Sequence, residues 1–195
     1  MKLLEERIRT DGRIYPGNIL KVDGFLNHQI DVTLMDRIGE AFYEKYKDCG
    51  ITKVLTIEAS GIAIAYAAAR CFGVPLLFAK KSQSMNLGKD LYIAKVHSYT
   101  YQKDYQVLLS RRYLSEEDRV LIVDDFLATG NAMLGLTELC KMAGATVAGI
   151  GICIEKAFQS GGKELRDMGF SVTSLARIRH MTDEGEIEFC SDGDE

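Results

Sequence analysis

Two adjacent carboxylates, Asp124 and Asp125, follow the apolar run Val120-Leu121-Ile122-Val123 and lead at once into Phe126-Leu127-Ala128-Thr129-Gly130-Asn131-Ala132. A short run of this kind reads as a buried strand, and the carboxyl ends of such strands face the crevice where open α/β sheets bind ligands. The small, hydroxylated turn that follows enters a helix. Its unpaired backbone N–H groups and positive dipole end suit a phosphate monoester. Two acceptors beside an anion cradle suit the vicinal diol of a ribose. Neither the phosphate loop Gly-x-x-x-x-Gly-Lys-Ser/Thr nor the dinucleotide fingerprint Gly-x-Gly-x-x-Gly occurs, so those two nucleotide-binding modes are excluded. An acidic pair that merely ends a strand and caps a turn is the alternative, and it leaves the rest of the pattern without a reason.

A second turn of the same kind, Ile57-Glu58-Ala59-Ser60-Gly61, joins another apolar run to an alanine-rich segment and offers a second helix N-terminus to an anion. Lys80 and Lys81 close the next apolar run, where cations would offset a highly negative substrate. His28, His97 and His180 have no metal-ligand spacing and read as surface or packing residues.

These residues need a parallel sheet to position them. The runs Val54 to Ile57, Val74 to Ala79, Val120 to Val123 and Val147 to Ile154 are continuous rather than alternating, as in strands covered on both faces. Between them lie helices. After the N-cap candidate Asp31, Leu34, Ile38 and Phe42 recur every fourth residue up to about Lys47, with Gly50 as the stop. Ile62 to Cys71 ends at Gly73-Val74-Pro75, and Asn131 to Ala143 ends at Gly144. The alternation predicts an α/β fold, an open and mainly parallel twisted sheet flanked by helices, in a single domain spanning residues 1–195. Lys80 to about Leu91 has no period and reads as a binding loop or lid. Tyr92 to Tyr99 and Tyr105 to Leu109 read as a hairpin, and Ser191 to Glu195 as a frayed end.

Composition narrows the partners. A net charge of −4 with mixed signs argues against nucleic-acid binding. Five cysteines, odd in number and without a C-x-x-C pair, argue against a disulfide framework and suit a reducing cytoplasm. Met1 to Gly12 lacks the apolar centre of a secretion signal, and no run approaches the roughly 20 apolar residues of a membrane span.

The sequence from Val120 to Ala132 resembles the phosphoribosyl pyrophosphate motif of the type I phosphoribosyltransferases: four apolar residues, two acids and a short loop ending in Thr-Gly. The resemblance implies that Ala128, Thr129, Gly130, Asn131 and Ala132 wrap the 5-phosphate while Asp124 and Asp125 bond the ribose hydroxyls. It further implies that Ala59, Ser60, Gly61 and Lys81 hold pyrophosphate. A flexible catalytic loop, about residues 80–98, would close over the reaction centre, and a small N-terminal hood, about residues 1–32, would cover the base. Magnesium is implied as a cofactor carried mainly by the substrate pyrophosphate, with no all-protein metal site, and a homodimer as the assembly.

Leu20 to Asp31, Ile152 to Phe158 and Ser174 to Ile178 resemble the branch of that family acting on xanthine in purine salvage. By that resemblance Leu20 covers the base, Asn27 bonds its C2 oxygen and Lys156 reaches the O6 or N7 edge. Phe158 either stacks on the ring or packs in the core. One position departs from that branch, which carries asparagine where this chain has Thr129; threonine is the general family choice. Related readings are the same fold acting on hypoxanthine, guanine, adenine or orotate, or a regulator that senses phosphoribosyl pyrophosphate without catalysis. Against the regulator, the chain is acidic and leaves no room for a winged-helix module.

Overall fold

A computed structural model of the chain describes residues 1–81, 90–98 and 103–191. Helix α1 (Lys2–Asp11) is followed by the hairpin β1 (Arg13–Tyr15) and β2 (Ile19–Lys21), then a single π turn, Asp23–Asn27. The remaining elements are α2 (Val32–Tyr46), β3 (Lys53–Ile57), α3 (Gly61–Phe72), β4 (Leu76–Ala79), β5 (Leu91–Ser98), β6 (Lys103–Ser110), β7 (Arg119–Leu127), α4 (Asn131–Ala143), β8 (Thr146–Lys156), α5 (Gly161–Asp167), β9 (Val172–Met181) and β10 (Ile187–Phe189).

The expected helix signals act as anticipated. The Asp31 carboxylate accepts from the Leu34 N–H at 3.1 Å, Gly50 and Gly144 take left-handed φ values of 64° and 75°, and α3 stops at Gly73. Leu34, Ile38 and Phe42 are buried along one face of α2.

Six strands form one sheet in the order β10-β9-β8-β7-β3-β4. The pairs β9-β8, β8-β7, β7-β3 and β3-β4 are parallel, and only β10 runs antiparallel. The chain passes from β3 outward to the edge strand β4, then returns to lay β7 on the other side of β3. Strand order therefore reverses between β3 and β7, which opens a crevice at their carboxyl ends.

One apolar cluster joins α1, α2, α3 and the N-terminal hairpin to the sheet; the other gathers α4, α5 and the β5-β6 hairpin. The long strand β8 carries glycine where α2 presses close. A methyl group at Gly151 would stand 2.8 Å from the Phe42 ring, and one at Gly149 would stand 2.2 Å from the Tyr46 ring. The Tyr46 hydroxyl, thus placed, donates to the Ile150 carbonyl at 2.9 Å.

Six elements go beyond the sequence-based expectation: α1, β1, β2, α5, β9 and β10. α1 buries only Leu4 and Ile8, one turn apart among charged residues. α5 is barely two turns long, and β9 alternates polar with apolar residues, so neither has the continuous apolar run of the other strands. Of the catalytic loop expected over residues 80–98, residues 82–89 lie outside the described set and Leu91–Ser98 is strand β5, paired antiparallel with β6. Residues 192–195, expected to fray, also lie outside it.

Phe42 is fully buried against β8, so Phe42→Ala should cost roughly 3–5 kcal/mol, the range for deleting a core aromatic. Equilibrium urea unfolding measures this as a lower midpoint at unchanged slope.

Candidate functional site

Asp124 and Asp125 lie in the second half of β7 and are both buried. Each carboxylate accepts from the next backbone N–H: Asp125 N–H to Asp124 at 3.0 Å, and Phe126 N–H to Asp125 at 3.0 Å. Burial, then the neighbouring charge of Asp125, push the Asp124 carboxyl well above the usual aspartate range.

Beyond β7 the chain turns through Ala128 and Thr129 to Gly130, whose φ of 83° needs glycine, and enters α4 with no side-chain cap. Asn131 donates to the Thr129 hydroxyl at 3.0 Å, stiffening the turn. Residues Phe126 to Met133 line a recess of about 130 Å³. An uncapped helix N-terminus above such a recess suits an anionic oxygen cluster.

The second turn, Ala59-Ser60-Gly61, follows β3 and leads into α3, beside the Asp124 carboxylate. A methyl group at Gly61 would stand 2.1 Å from the Thr56 hydroxyl and 2.7 Å from an Asp124 oxygen, so only glycine lets this turn pack against the Asp124 carboxylate of β7. The Glu58 carboxylate accepts from the Lys81 N–H at 2.7 Å and thereby ties Lys81 to this turn. The Lys81 ammonium lies over the Tyr105 ring, 5.8 Å from its centroid, and its charge works against the upward shift of Asp124.

The N-terminal segment covers the other flank. Phe25 and Leu26 are fully buried and anchor the π turn, whose last residue, Asn27, donates its amide N–H to Asp125 at 2.8 Å. Lys156, at the end of β8, donates to the Asn18 carbonyl in the β1-β2 turn at 2.8 Å and lies 5.8 Å from the centre of the Phe126 ring. Burial holds its ammonium below the usual lysine range. Leu20, on β2, is buried. Asn27 and Lys156 thus flank the Asp125-Phe126 stretch, with Leu20 in the hairpin that Lys156 grips.

The match to known proteins agrees with this geometry. The family model for the phosphoribosyl transferase domain matches residues 28–176. The chain belongs to the phosphoribosyltransferase family. Among curated relatives, the xanthine phosphoribosyltransferase of Bifidobacterium adolescentis is 58% identical, covering 98% of this chain and 100% of its own. That of Finegoldia magna is 54% identical, covering 96% and 98%. Solved phosphoribosyltransferases share the fold: the adenine phosphoribosyltransferase of Giardia lamblia aligns with a TM-score of 0.75 at 23% identity, over 91% of this chain and 98% of its own. The Trypanosoma brucei enzyme aligns with a TM-score of 0.78 at 18% identity, over 93% and 82%.

The structure brings Asn27 to Asp125, Lys156 to the β1-β2 turn and Lys81 to Glu58, while Leu20 packs in the apolar cluster beneath the hairpin. His28 and His180 are exposed, and the His97 side chain lies outside the described set. Phe158 is 39% exposed, so it is not a core residue. Sequence reasoning missed what lies behind the phosphate turn. Gly161 packs onto it, its N–H donating to the Ala128 carbonyl at 3.0 Å. Glu155, buried beside Lys156, accepts from both terminal nitrogens of Arg166 at 2.8 Å and from the Ser174 hydroxyl at 2.5 Å. The Gly161-Gly162 pair was the available signal, since tandem glycine at a helix start marks close backbone approach.

A carboxyl held above its unfolded range opposes folding once the pH exceeds the unfolded-state value, because only the unfolded chain then ionises freely. Asp124→Asn should therefore be more stable than the parent at neutral pH. The gain should vanish below about pH 4, where both states of the parent are protonated. Unfolding curves across pH measure this.

Proposed function

We propose that the protein is a xanthine phosphoribosyltransferase of purine salvage, moving ribose 5-phosphate from phosphoribosyl pyrophosphate to xanthine and releasing xanthosine monophosphate and pyrophosphate. The observation that carries this reading is the Asn27–Asp125 hydrogen bond, which sets a base-edge donor beside a ribose-binding carboxylate. An amide nitrogen has two N–H groups. With one on Asp125, the other is left for the C2 oxygen of xanthine. The Lys156 ammonium faces the O6 or N7 edge, and Leu20 covers the ring. Full-length relatives above 50% identity carry the same name.

In this reading Ala128 to Ala132 hold the 5-phosphate, and Asp124 and Asp125 hold the ribose 2- and 3-hydroxyls. Ala59, Ser60, Gly61 and Lys81 hold pyrophosphate. A purine nitrogen displaces pyrophosphate at C1 as the sugar takes on oxocarbenium character. The protein contributes alignment, donors for the leaving group, and exclusion of water from the reaction centre. Magnesium arrives with the substrate, since this ion keeps phosphate and water oxygens and takes only one or two carboxylates, which Asp124 and Asp125 can offer. Among the described residues no cluster of three or more His, Cys, Asp or Glu is arranged to hold a metal.

Residues 1–32 act as the hood of a single domain spanning the chain. The active form is a homodimer, supported by an apolar groove beside Ala59 that includes Ile30, Val32, Met35 and Tyr66, with Val32 72% and Tyr66 63% exposed. A cytoplasmic setting fits five free cysteines, and no described helix is long and apolar enough to cross a membrane.

Purified protein given phosphoribosyl pyrophosphate, magnesium and each of xanthine, guanine, hypoxanthine and adenine should favour xanthine. Hypoxanthine lacks the C2 oxygen and leaves a buried donor unpaired, a penalty of about 1–3 kcal/mol, or roughly tenfold to hundredfold in kcat/KM. Asn27→Ala should narrow that gap. Equal use of hypoxanthine by the parent overturns the base assignment, and no product with any base favours a non-catalytic sensor.

A further inference from the structure

We propose that Glu155 and Arg166 are positioning residues for the 5-phosphate turn, acting through α5; this rests on the assignment of Ala128 to Ala132 to the 5-phosphate. Glu155 stands opposite Leu127 in the β7-β8 register, one residue before that turn begins. Its carboxylate is 2% exposed and fully engaged: Arg166 grips it through both oxygens, Ser174 donates to one of them, and the Arg177 Nε lies 3.4 Å away.

Arg166 is in the last turn of α5, and the first two residues of α5 are glycines that leave no slack on either side. A methyl group at Gly162 would stand 2.1 Å from a Glu155 oxygen and 2.7 Å from Arg166 Nη1. A methyl group at Gly161 would stand 2.4 Å from the Gly130 nitrogen and 2.5 Å from the Ala128 oxygen. The helix is a wedge, clamped by the Glu155-Arg166 fork at one side and pressed on the phosphate turn at the other. Its Gly161 N–H holds the Ala128 carbonyl and so sets the direction in which the turn's own N–H groups point.

A buried ion pair is a weak source of net stability, because desolvation offsets its attraction. A bidentate fork does fix direction, which a lysine or an apolar pair does not. The surroundings hold the Glu155 carboxyl below its usual range despite burial, so the charged, two-oxygen form persists across neutral pH.

The test is calorimetric titration with ribose 5-phosphate, together with steady-state kinetics and thermal unfolding, on the parent, Arg166→Lys, Arg166→Met and Gly161→Ala. Arg166→Met and Gly161→Ala should weaken ribose 5-phosphate binding and raise KM for phosphoribosyl pyrophosphate by about tenfold or more. KM for the base should stay within about twofold, since the base contacts are not touched. Arg166→Lys should recover thermal stability more fully than it recovers KM, because a point charge restores the pairing without the fork. Gly161→Ala leaves the buried pair intact and reports if Arg166→Met fails to fold. Parent binding with unaltered affinity in folded variants overturns the proposal alone. Absence of ribose 5-phosphate binding by the parent overturns the phosphate assignment beneath it.

Discussion

Two carboxylates on consecutive residues of a buried strand repel each other and lose their hydration, and much of the molecule is arranged to keep Asp124 and Asp125 there. Three donors offset part of the cost: the N–H groups of Asp125 and Phe126, and the amide of Asn27 reaching across from the hood. What remains shows in the upward shift of Asp124. Such a residue marks a ligand site, and in the proposed reading the ligand is the diol of a ribose, whose hydroxyls supply further donors.

The sheet decides where that ligand lies. Because β7 returns beside β3 after the excursion to β4, two strand-turn-helix units end side by side, with α3 and α4 in different apolar clusters. Each turn brings a helix N-terminus to the same crevice. Glycine allows close packing at each turn: Gly61 fits against Thr56 and Asp124, and Gly161 of α5 fits against Ala128 to Gly130. A substrate with phosphate groups on both sides of a ribose matches two anion turns with carboxylates between them. The N-terminal segment, distant in sequence, reaches this crevice through the Asn27 amide on Asp125, which in the proposed reading couples base to sugar.

Most of this was legible in the residues because the signals were local. Four of the sheet's parallel strands are continuous apolar runs, Asp31 and the glycines at 50, 73 and 144 punctuate the helices, and the residues from Val120 to Ala132 carry strand, acids and turn in order. The rest depends on tertiary contacts that no window reveals. α1 buries only Leu4 and Ile8 and is otherwise tied down by Arg7 to Asp31 and Arg9 over Phe189, and β9 mixes its buried apolar residues with polar ones as it pairs with β8. Glu155 looks like any charged strand end until Arg166, eleven residues on, folds back to meet it. Asn27 was assigned by resemblance, but its bond to Asp125 spans 98 residues of sequence and is visible only in the fold.

The central claim is that one crevice holds phosphate, ribose and base on the residues named for each. A crystal structure with xanthosine monophosphate tests it most directly. The account predicts the phosphate on the backbone of Ala128 to Ala132, the ribose hydroxyls on Asp124 and Asp125, and the base between Leu20, Asn27 and Lys156. A nucleotide bound with its phosphate away from that turn, or its base away from Asn27 and Lys156, would contradict it.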